Sequence, residues 1–355
     1  MITERFRSKT FTSRNGRDAL LGVDIGSSSV KMVRLRRESG RWQIANRLTL
    51  PIEQAEPDAL TDDLLAGRIG QQLHLLNERR LTGHEECCCV LPTGLTDVRT
   101  VEVPQGSDRE VNMMAAEALR DAFGEEYDRR VTRLWAHRYA PHELAMVSGL
   151  STRTDVGEQI VADLNLAGFD CRSMLTLPFT LAKAASMSAC ARGPQPVGLI
   201  SWQHSGANLV ITKDDRPEFM RSLRDCSGRT AEQLLQDGLG ISREEAVSVL
   251  STFGLPGPGD PSGISQAVAG MLQPQIQQLA AEIKKTFLYL RHHLPTLLPG
   301  RIVLFGGMAS VPNIATAIEQ ASGIETRSWS LDAHNSHSSD PLFALAIAAS
   351  AGVMS

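Results

Sequence analysis

The residues best suited to chemistry gather first at Asp24-Ile25-Gly26-Ser27-Ser28-Ser29-Val30-Lys31, near the start of this 355-residue chain. Leu21, Val23 and Ile25 read as a short buried strand with Asp24 near its end. Gly26 opens a tight turn whose backbone N–H groups can face a phosphate. Ser27, Ser28 and Ser29 add small hydroxyl donors, and Lys31 adds a positive charge as the next strand begins. A carboxylate, small donors and a cation so close together suit a phosphate. Val30, Met32, Val33 and Leu35 read as a second strand after the turn. A P-loop or a Rossmann turn would instead continue into a helix. The same spacing also describes an ordinary hairpin with a polar turn, because short glycine motifs match often by chance.

Other candidates are weaker. Ser227-Gly228-Arg229-Thr230 reads as a helix start whose glycine permits close approach, including approach to a nucleotide base. Gly306-Gly307 follows an apolar strand as a turn. His292-His293 and the loop pair His334 and His337 lack a thiolate or carboxylate in ligand spacing, so they read as solvated. Glu125-Glu126 beside Arg129-Arg130 reads as a self-pairing surface patch. No Ser/His/Asp or Cys/His set appears in a catalytic local spacing. Six cysteines include the run Cys87-Cys88-Cys89. Neighbours on a strand point to opposite faces, so the run suits neither a disulfide framework nor a metal knuckle. Buried, reduced thiols are the reading, which implies a cytosolic setting.

These residues need elements to position them. Trp42 to Leu50 reads as a third strand, Asp58 to Arg79 as a helix, and Cys87 to Leu91 as a strand. Val98 to Val103 reads as a strand and Glu110 to Phe123 as a helix. Val131 to Tyr139 and Leu144 to Gly149 read as a hairpin, Val156 to Leu166 as a helix stopped by Gly168, and Phe169 to Leu175 as a strand. Pro178 to Ala191 is a helix. The scheme then restarts, with strands at Val197 to Trp202, Ala207 to Thr212 and Glu218 to Leu223. Helices follow from Gly228 and from Ser242, where Ser242 and Glu245 fit a capping box. A long helix runs from Ile264 to His293, with Pro274 expected to kink or divide it. Arg301 to Phe305 is a strand, Pro312 to Gln320 a helix with proline in its first turn, and Pro341 to Ala351 a closing apolar helix.

A chain of this length suggests two lobes rather than one small core. Hydrophobic content of 42%, charged content of 21% and a net charge of −4 describe an ordinary globular protein and give no reason to expect nucleic acid as a partner. No apolar run is long enough to cross a bilayer. Residues 1–18 read as a flexible, basic leader without the apolar core of a signal peptide. Residues 19–96 with 176–195 form a first half-domain and 196–355 a second, with 97–175 as an inserted small α/β subdomain. Matching order in the two halves points to duplication around a central cleft.

Gly22-Val23-Asp24-Ile25-Gly26-Ser27-Ser28-Ser29-Val30-Lys31 and Leu304-Phe305-Gly306-Gly307-Met308-Ala309-Ser310-Val311-Pro312 resemble the type IV pilus assembly protein PilM family. Ala167-Gly168-Phe169, Pro178 to Ala185, Gly240 to Ala246 and Asp340 to Gly352 extend the resemblance in order along nearly the whole chain. The family is actin-like and related to the cell-division protein FtsA. The resemblance implies an α/β fold of duplicated, ribonuclease H-like half-domains. It implies a cytoplasmic protein, held at the inner membrane by the short N-terminal tail of a PilN-like partner. Contacts that link the pilus motor ATPase to the envelope machinery are implied as well. ATP with Mg²⁺ would lie in the cleft, with Asp24, Gly26, Ser27, Ser28, Ser29 and Lys31 around the phosphates. Gly306 and Gly307 would lie beside the ribose and adenine, and Gly206 and Gly228 on the second lobe's side.

The chain departs from that pattern twice. Where the second half normally opens with Asp-Ile-Gly, it has Ser201-Trp202-Gln203-His204-Ser205-Gly206. The second phosphate carboxylate is missing, and Trp202 and Gln203 flank its place. Where the family tends to place a Glu and then a Lys after Glu244-Glu245-Ala246, Val247 and Leu250 stand. Each exchange removes polar contacts worth roughly 1–3 kcal/mol if buried. The expectation is therefore a scaffold with weak or lost ATP binding and no efficient hydrolysis. An active sugar kinase or ATPase of the same fold is the main rival and needs an acidic or glycine-rich second loop. An FtsA-like filament former needs a basic amphipathic C-terminus, and Ala344 to Ser355 is uncharged. The strands Cys87 to Leu91 and Val98 to Val103 and the helix Glu110 to Phe123 are the expected docking surface for the tail.

Overall fold

The computed structural model describes residues 20–52, 67, 69–71, 73, 85–138, 144–191, 193–259, 262–331 and 340–352. The basic leader, most of the expected helix from Asp58 to Arg79, and His334 and His337 lie outside the described residues.

A hairpin opens each lobe. In the first, β1 (Leu21–Ile25) pairs antiparallel with β2 (Ser29–Glu38), which pairs with β3 (Arg41–Pro51). Every residue of β1 is buried, as a continuous run must be when both faces of a sheet are covered. On its other side β1 runs parallel to β4 (Glu85–Val90), and β4 parallel to β8 (Phe169–Leu175). The sheet order is β3-β2-β1-β4-β8. The second lobe repeats it as β11-β10-β9-β12-β13, built from β9 (Val197–Trp202), β10 (Ala207–Lys213), β11 (Arg216–Leu223), β12 (Arg301–Phe305) and β13 (Thr326–Ser328). The senses match too: β9 is antiparallel to β10 and parallel to β12. This duplication is the actin-like α/β fold expected from the sequence.

Between β4 and β8 stands a smaller unit. There β5 (Asp97–Pro104), β7 (Leu144–Arg153) and β6 (Arg130–Ala136) form an antiparallel sheet in the order β5-β7-β6. Helix α1 (Asp108–Phe123) packs on it through Val111 and Ala115, against Val103 and Val147. The sequence reading grouped Phe169 to Leu175 with this insertion. Instead the strand pairs with β4 in the first sheet, and α2 (Thr154–Leu166) packs Val156, Ile160 and Leu164 into that sheet's core. Strand partnership is a long-range property, and local composition does not carry it. Gly168 takes φ +87°, the left-handed stop that the sequence anticipates.

A shared core joins the lobes. Helix α3 (Leu177–Met187) and α8 (Asp340–Ser350) bury Leu181, Ala185, Phe343 and Ile347 together with strand residues of both sheets, including Val33, Val90, Leu199 and Phe305. Small residues let α8 lie almost on β1. A Cβ on Gly22 would stand 1.9 Å from the Ala346 carbonyl oxygen. The second lobe's other face carries α4 (Gly228–Leu239), α5 (Arg243–Thr252), α6 (Gly263–His293) and α7 (Ile314–Ser322). Pro274 does not divide α6, which is one 31-residue helix. Pro312 stands before α7 rather than in its first turn, because Asn313 takes the N-cap in a left-handed conformation.

Candidate functional site

Strand register makes the two hairpins comparable residue by residue. In the first, Asp24 faces Lys31 and Ile25 faces Val30; in the second, Ser201 faces Asn208 and Trp202 faces Ala207. Each turn closes in the same way, Gly26 N–H on the Ser29 carbonyl at 3.0 Å and Gln203 N–H on the Gly206 carbonyl at 2.9 Å. Ser201 therefore occupies the place of Asp24, and Asn208 that of Lys31.

The first turn retains charge. Lys31 Nζ lies 3.4 Å from Asp24 Oδ2, and both side chains are nearly inaccessible. A Cβ at Gly26 would meet the Lys31 ammonium at 3.1 Å, so glycine lets the cation lie against the turn. Ser27 Oγ is buried with no hydrogen-bond partner, a donor that a phosphate oxygen would satisfy. Not every donor of the turn faces outward, because the Gly26 N–H bonds within it. The carbonyls of Ser28 and Ser29 are also engaged, Ser28 accepting from Ile52 N–H at 2.9 Å.

The second turn carries no acid, and two of its polar side chains bond to each other. Gln203 Nε2 donates to Ser201 Oγ at 3.0 Å, and Ser222 Oγ donates to Asn208 Oδ1 at 2.9 Å. Trp202 does not flank the site as the sequence suggested. Its ring is wholly buried in the second lobe's core among Ala231 and Leu235. The start of α4 closes onto this turn, with Gly228 and Arg229 N–H donating to the carbonyls of Gln203 and His204, each at 2.9 Å. A Cβ at Gly228 would stand 3.1 Å from His204 Cα, so this glycine serves the packing of helix on turn. Gly306 takes φ +92°, and a Cβ there would lie 2.6 Å from the Trp202 carbonyl oxygen. No atom crowds the Cβ position of Gly206, and only Leu342 approaches that of Gly307. Gly206, Gly228 and Gly306 thus gather around residues 202–206, while Asp24 to Lys31 stand on the other sheet.

A buried charge cluster that the sequence reading missed anchors the second turn. His204 Nε2 lies 3.4 Å from Glu232 Oε2, to which Arg243 Nε also donates at 2.8 Å. Burial pushes the Glu232 carboxyl up, but the bonds from His204 and Arg243 outweigh it and hold the group below its ordinary range. These three residues lie on a turn and two helices, so no local spacing announces them. Of the two departures on α5, Val247 is exposed and Leu250 is buried in the second core.

The chemistry of the donor set decides the fit of Mg·ATP. The first turn could take a phosphate, but the second supplies no acid opposite it. No group of three or more His, Cys, Asp or Glu suited to a metal occurs among the described residues. The donors of the first turn suit a phosphate, and the second turn does not repeat the acid at Asp24.

A second contact pins the inserted sheet to the second lobe. Trp135 Nε1 donates to the Pro217 carbonyl at 3.0 Å, His137 Nδ1 bonds the Glu218 carbonyl at 2.8 Å, and Arg138 N–H donates to Glu218 Oε2 at 2.8 Å. Burial pushes the Glu218 carboxyl up, and its Oε1 is buried without a partner. Burial also lowers the His137 imidazole. A cavity of about 120 Å³ lies at this junction, lined by Trp135, His137, Glu218, Phe219 and Leu297 among others.

Of the surfaces expected to hold a tail, Cys87 to Leu91 is closed, because β4 is paired on both sides. Strand β5 is at the edge of its sheet, paired only with β7 among the described strands.

No family model matches the sequence. The fold is similar to that of a chain of the PilM–PilN type IV pilus biogenesis complex, with a TM-score of 0.71 and 16% identity over 94% of this chain and 98% of that one. It is also similar to the ethanolamine utilization protein EutJ from Carboxydothermus hydrogenoformans, with a TM-score of 0.54 and 14% identity over 95% and 90%. At such identities the likeness establishes the actin-like fold. No helix among the described residues is long and apolar enough to cross a membrane.

Proposed function

We propose that the chain is a PilM-like scaffold of a type IV pilus or related secretion system. It holds the short N-terminal cytoplasmic tail of a PilN-like inner-membrane protein, and through that tail it sits at the cytoplasmic face of the inner membrane. The observation that carries this reading is the likeness, along almost all of both chains, to a member of the PilM–PilN complex. The acid-free second turn supports the other half of the proposal, that ATP binding is weak or lost. A phosphate gripped by Ser27 and Lys31 alone lacks the opposing acid through which the second lobe would place a metal. Recognition of the tail then carries the function, and contacts with the pilus motor ATPase follow from the same scaffold role.

The insertion is the place for recognition. An extended tail laid along β5 would satisfy its own backbone by adding a strand, with α1 flanking it. On the sheet pairing, the inserted unit comprises residues 97–153, and the half-domains comprise 20–96 with 154–195, and 196–352. Immobilised cytoplasmic tails of inner-membrane pilus proteins should retain the full chain from solution. Failure of every such tail, together with steady Mg·ATP turnover, would replace the scaffold by an active phosphotransferase.

A further inference from the structure

We propose that Cys171 and Cys87 are a peroxide-responsive thiol pair that closes into a disulfide between β8 and β4. This inference is independent of the scaffold reading. The two residues are register partners on neighbouring parallel strands. Such strands lie about 4.8 Å apart, within the Cα separation of about 4.4–6.8 Å that a disulfide spans. Both side chains face the first lobe's core, where Cys171 packs beside Cys87 and Cys89. Exposure differs between them: Cys171 is half-exposed, whereas Cys87, Cys88 and Cys89 are buried. One reachable thiol backed by a buried neighbour is the arrangement by which a sulfenic acid is trapped before further oxidation.

Electrostatics favour the same order of events. A hydrogen bond with Cys87 holds the Cys171 thiol below its ordinary range, and that bond together with burial pushes Cys87 up. Cys171 is then the thiolate that attacks and Cys87 the proton-bearing partner. Cys88 points to the opposite face, into the interlobe core, where it contacts the Ser173 hydroxyl at 3.2 Å. Cys89 is wholly buried and its thiol is pushed up by desolvation. The chemistry balances with hydrogen peroxide as oxidant. The Cys171 thiolate attacks one peroxide oxygen, the O–O bond breaks, and hydroxide leaves behind Cys171 sulfenic acid. The Cys87 sulfur then attacks the sulfenic sulfur, and the hydroxyl leaves as water with the Cys87 proton. Two thiols and one peroxide become one disulfide and two waters.

The test treats the full chain with stoichiometric hydrogen peroxide, blocks remaining thiols with iodoacetamide and maps the peptides without reduction. The expected product is a monomer lighter by two hydrogens, its Cys171 peptide bridged to the peptide that carries Cys87, and dithiothreitol reverses it. Tandem fragmentation of the bridged wild-type peptide should place the bond at Cys87, a readout that needs no variant. Cys87→Ser should remove the bridge and leave Cys171 as sulfenic or sulfinic acid, while Cys88→Ser and Cys89→Ser keep the bridge. A bridge to Cys88 or Cys89 would overturn the proposal. So would wild-type Cys171 ending as sulfinic acid without a bridge, or remaining alkylable after peroxide.

Discussion

Lys31 and Asp24 neutralise each other where little water reaches them. Lys31→Met should therefore strand the carboxylate and lower stability by about 3 kcal/mol, because breaking one side of a buried pair leaves an uncompensated charge. Pairing it with Asp24→Asn should restore most of the loss, and urea unfolding of both variants checks this. Ser201 marks the other half of the same comparison. If its hydroxyl is what weakens nucleotide binding, Ser201→Asp should tighten Mg·ATP about tenfold, near 1.4 kcal/mol, by fluorescent-nucleotide titration. Glu218 makes a pH-dependent case. Its carboxyl titrates higher in the folded chain than in the unfolded one, so the ionised form costs stability at neutral pH. That cost vanishes as pH falls below the unfolded value of about 4.3. Glu218→Gln, compared with the parent, should thus gain stability as pH rises from roughly 3.5 to 7 in chemical denaturation. Of these residues the first turn was legible in the sequence, since an acid, glycine, serines and lysine are adjacent. The bond of Gln203 to Ser201, the His204–Glu232–Arg243 cluster and the orphaned Glu218 oxygen were not. Each joins residues whose proximity depends on how hairpins and helices pack.

Elements are legible in the sequence wherever a local signal defines them. Ser242 caps α5 and Glu245 completes the capping box, as the spacing predicted. Ser242→Ala should cost about 1 kcal/mol, measurable in thermal unfolding. Strand partners are less legible. Nothing in Phe169 to Leu175 announces that it extends the first sheet rather than the insertion, and nothing in Trp202 says which core its ring enters. Long helices also override a local breaker: Pro274 sits inside α6 because the helix buries Leu272, Ile276 and Leu279 against the second lobe's core. The packing of α8 on β1 was likewise invisible in Gly22, which reads in sequence as part of a phosphate motif. Its closest neighbours are the backbone at Ala346 and Ser350, 1.9 and 2.6 Å from a Cβ built there. Neither can yield as a flexible side chain does. Gly22→Ala should lose more than about 4 kcal/mol and release α8, seen as new protease sensitivity near the C-terminus.

At the scale of the whole molecule, duplication explains both what is kept and what is changed. Two sheets with one strand order present two equivalent turns, yet only the first carries an acid and a base. An enzyme that transfers phosphate needs both lobes to grip and orient it. A holder of a peptide needs only a rigid frame and an open strand edge, and β5 is an edge strand among the described residues. The missing acid of the second turn is legible in the sequence as an absent Asp-Ile-Gly, and register identifies Ser201 as the substituted position. On the proposed function the molecule works by gripping a neighbour's tail. Calorimetric titration of the full chain with a synthetic N-terminal tail of a PilN-like protein measures that grip. One tail per chain is expected, with a Kd on the order of micromolar, near −8 kcal/mol, little altered by Mg·ATP. Absence of heat at saturating tail, from a chain that hydrolyses ATP steadily, would contradict it.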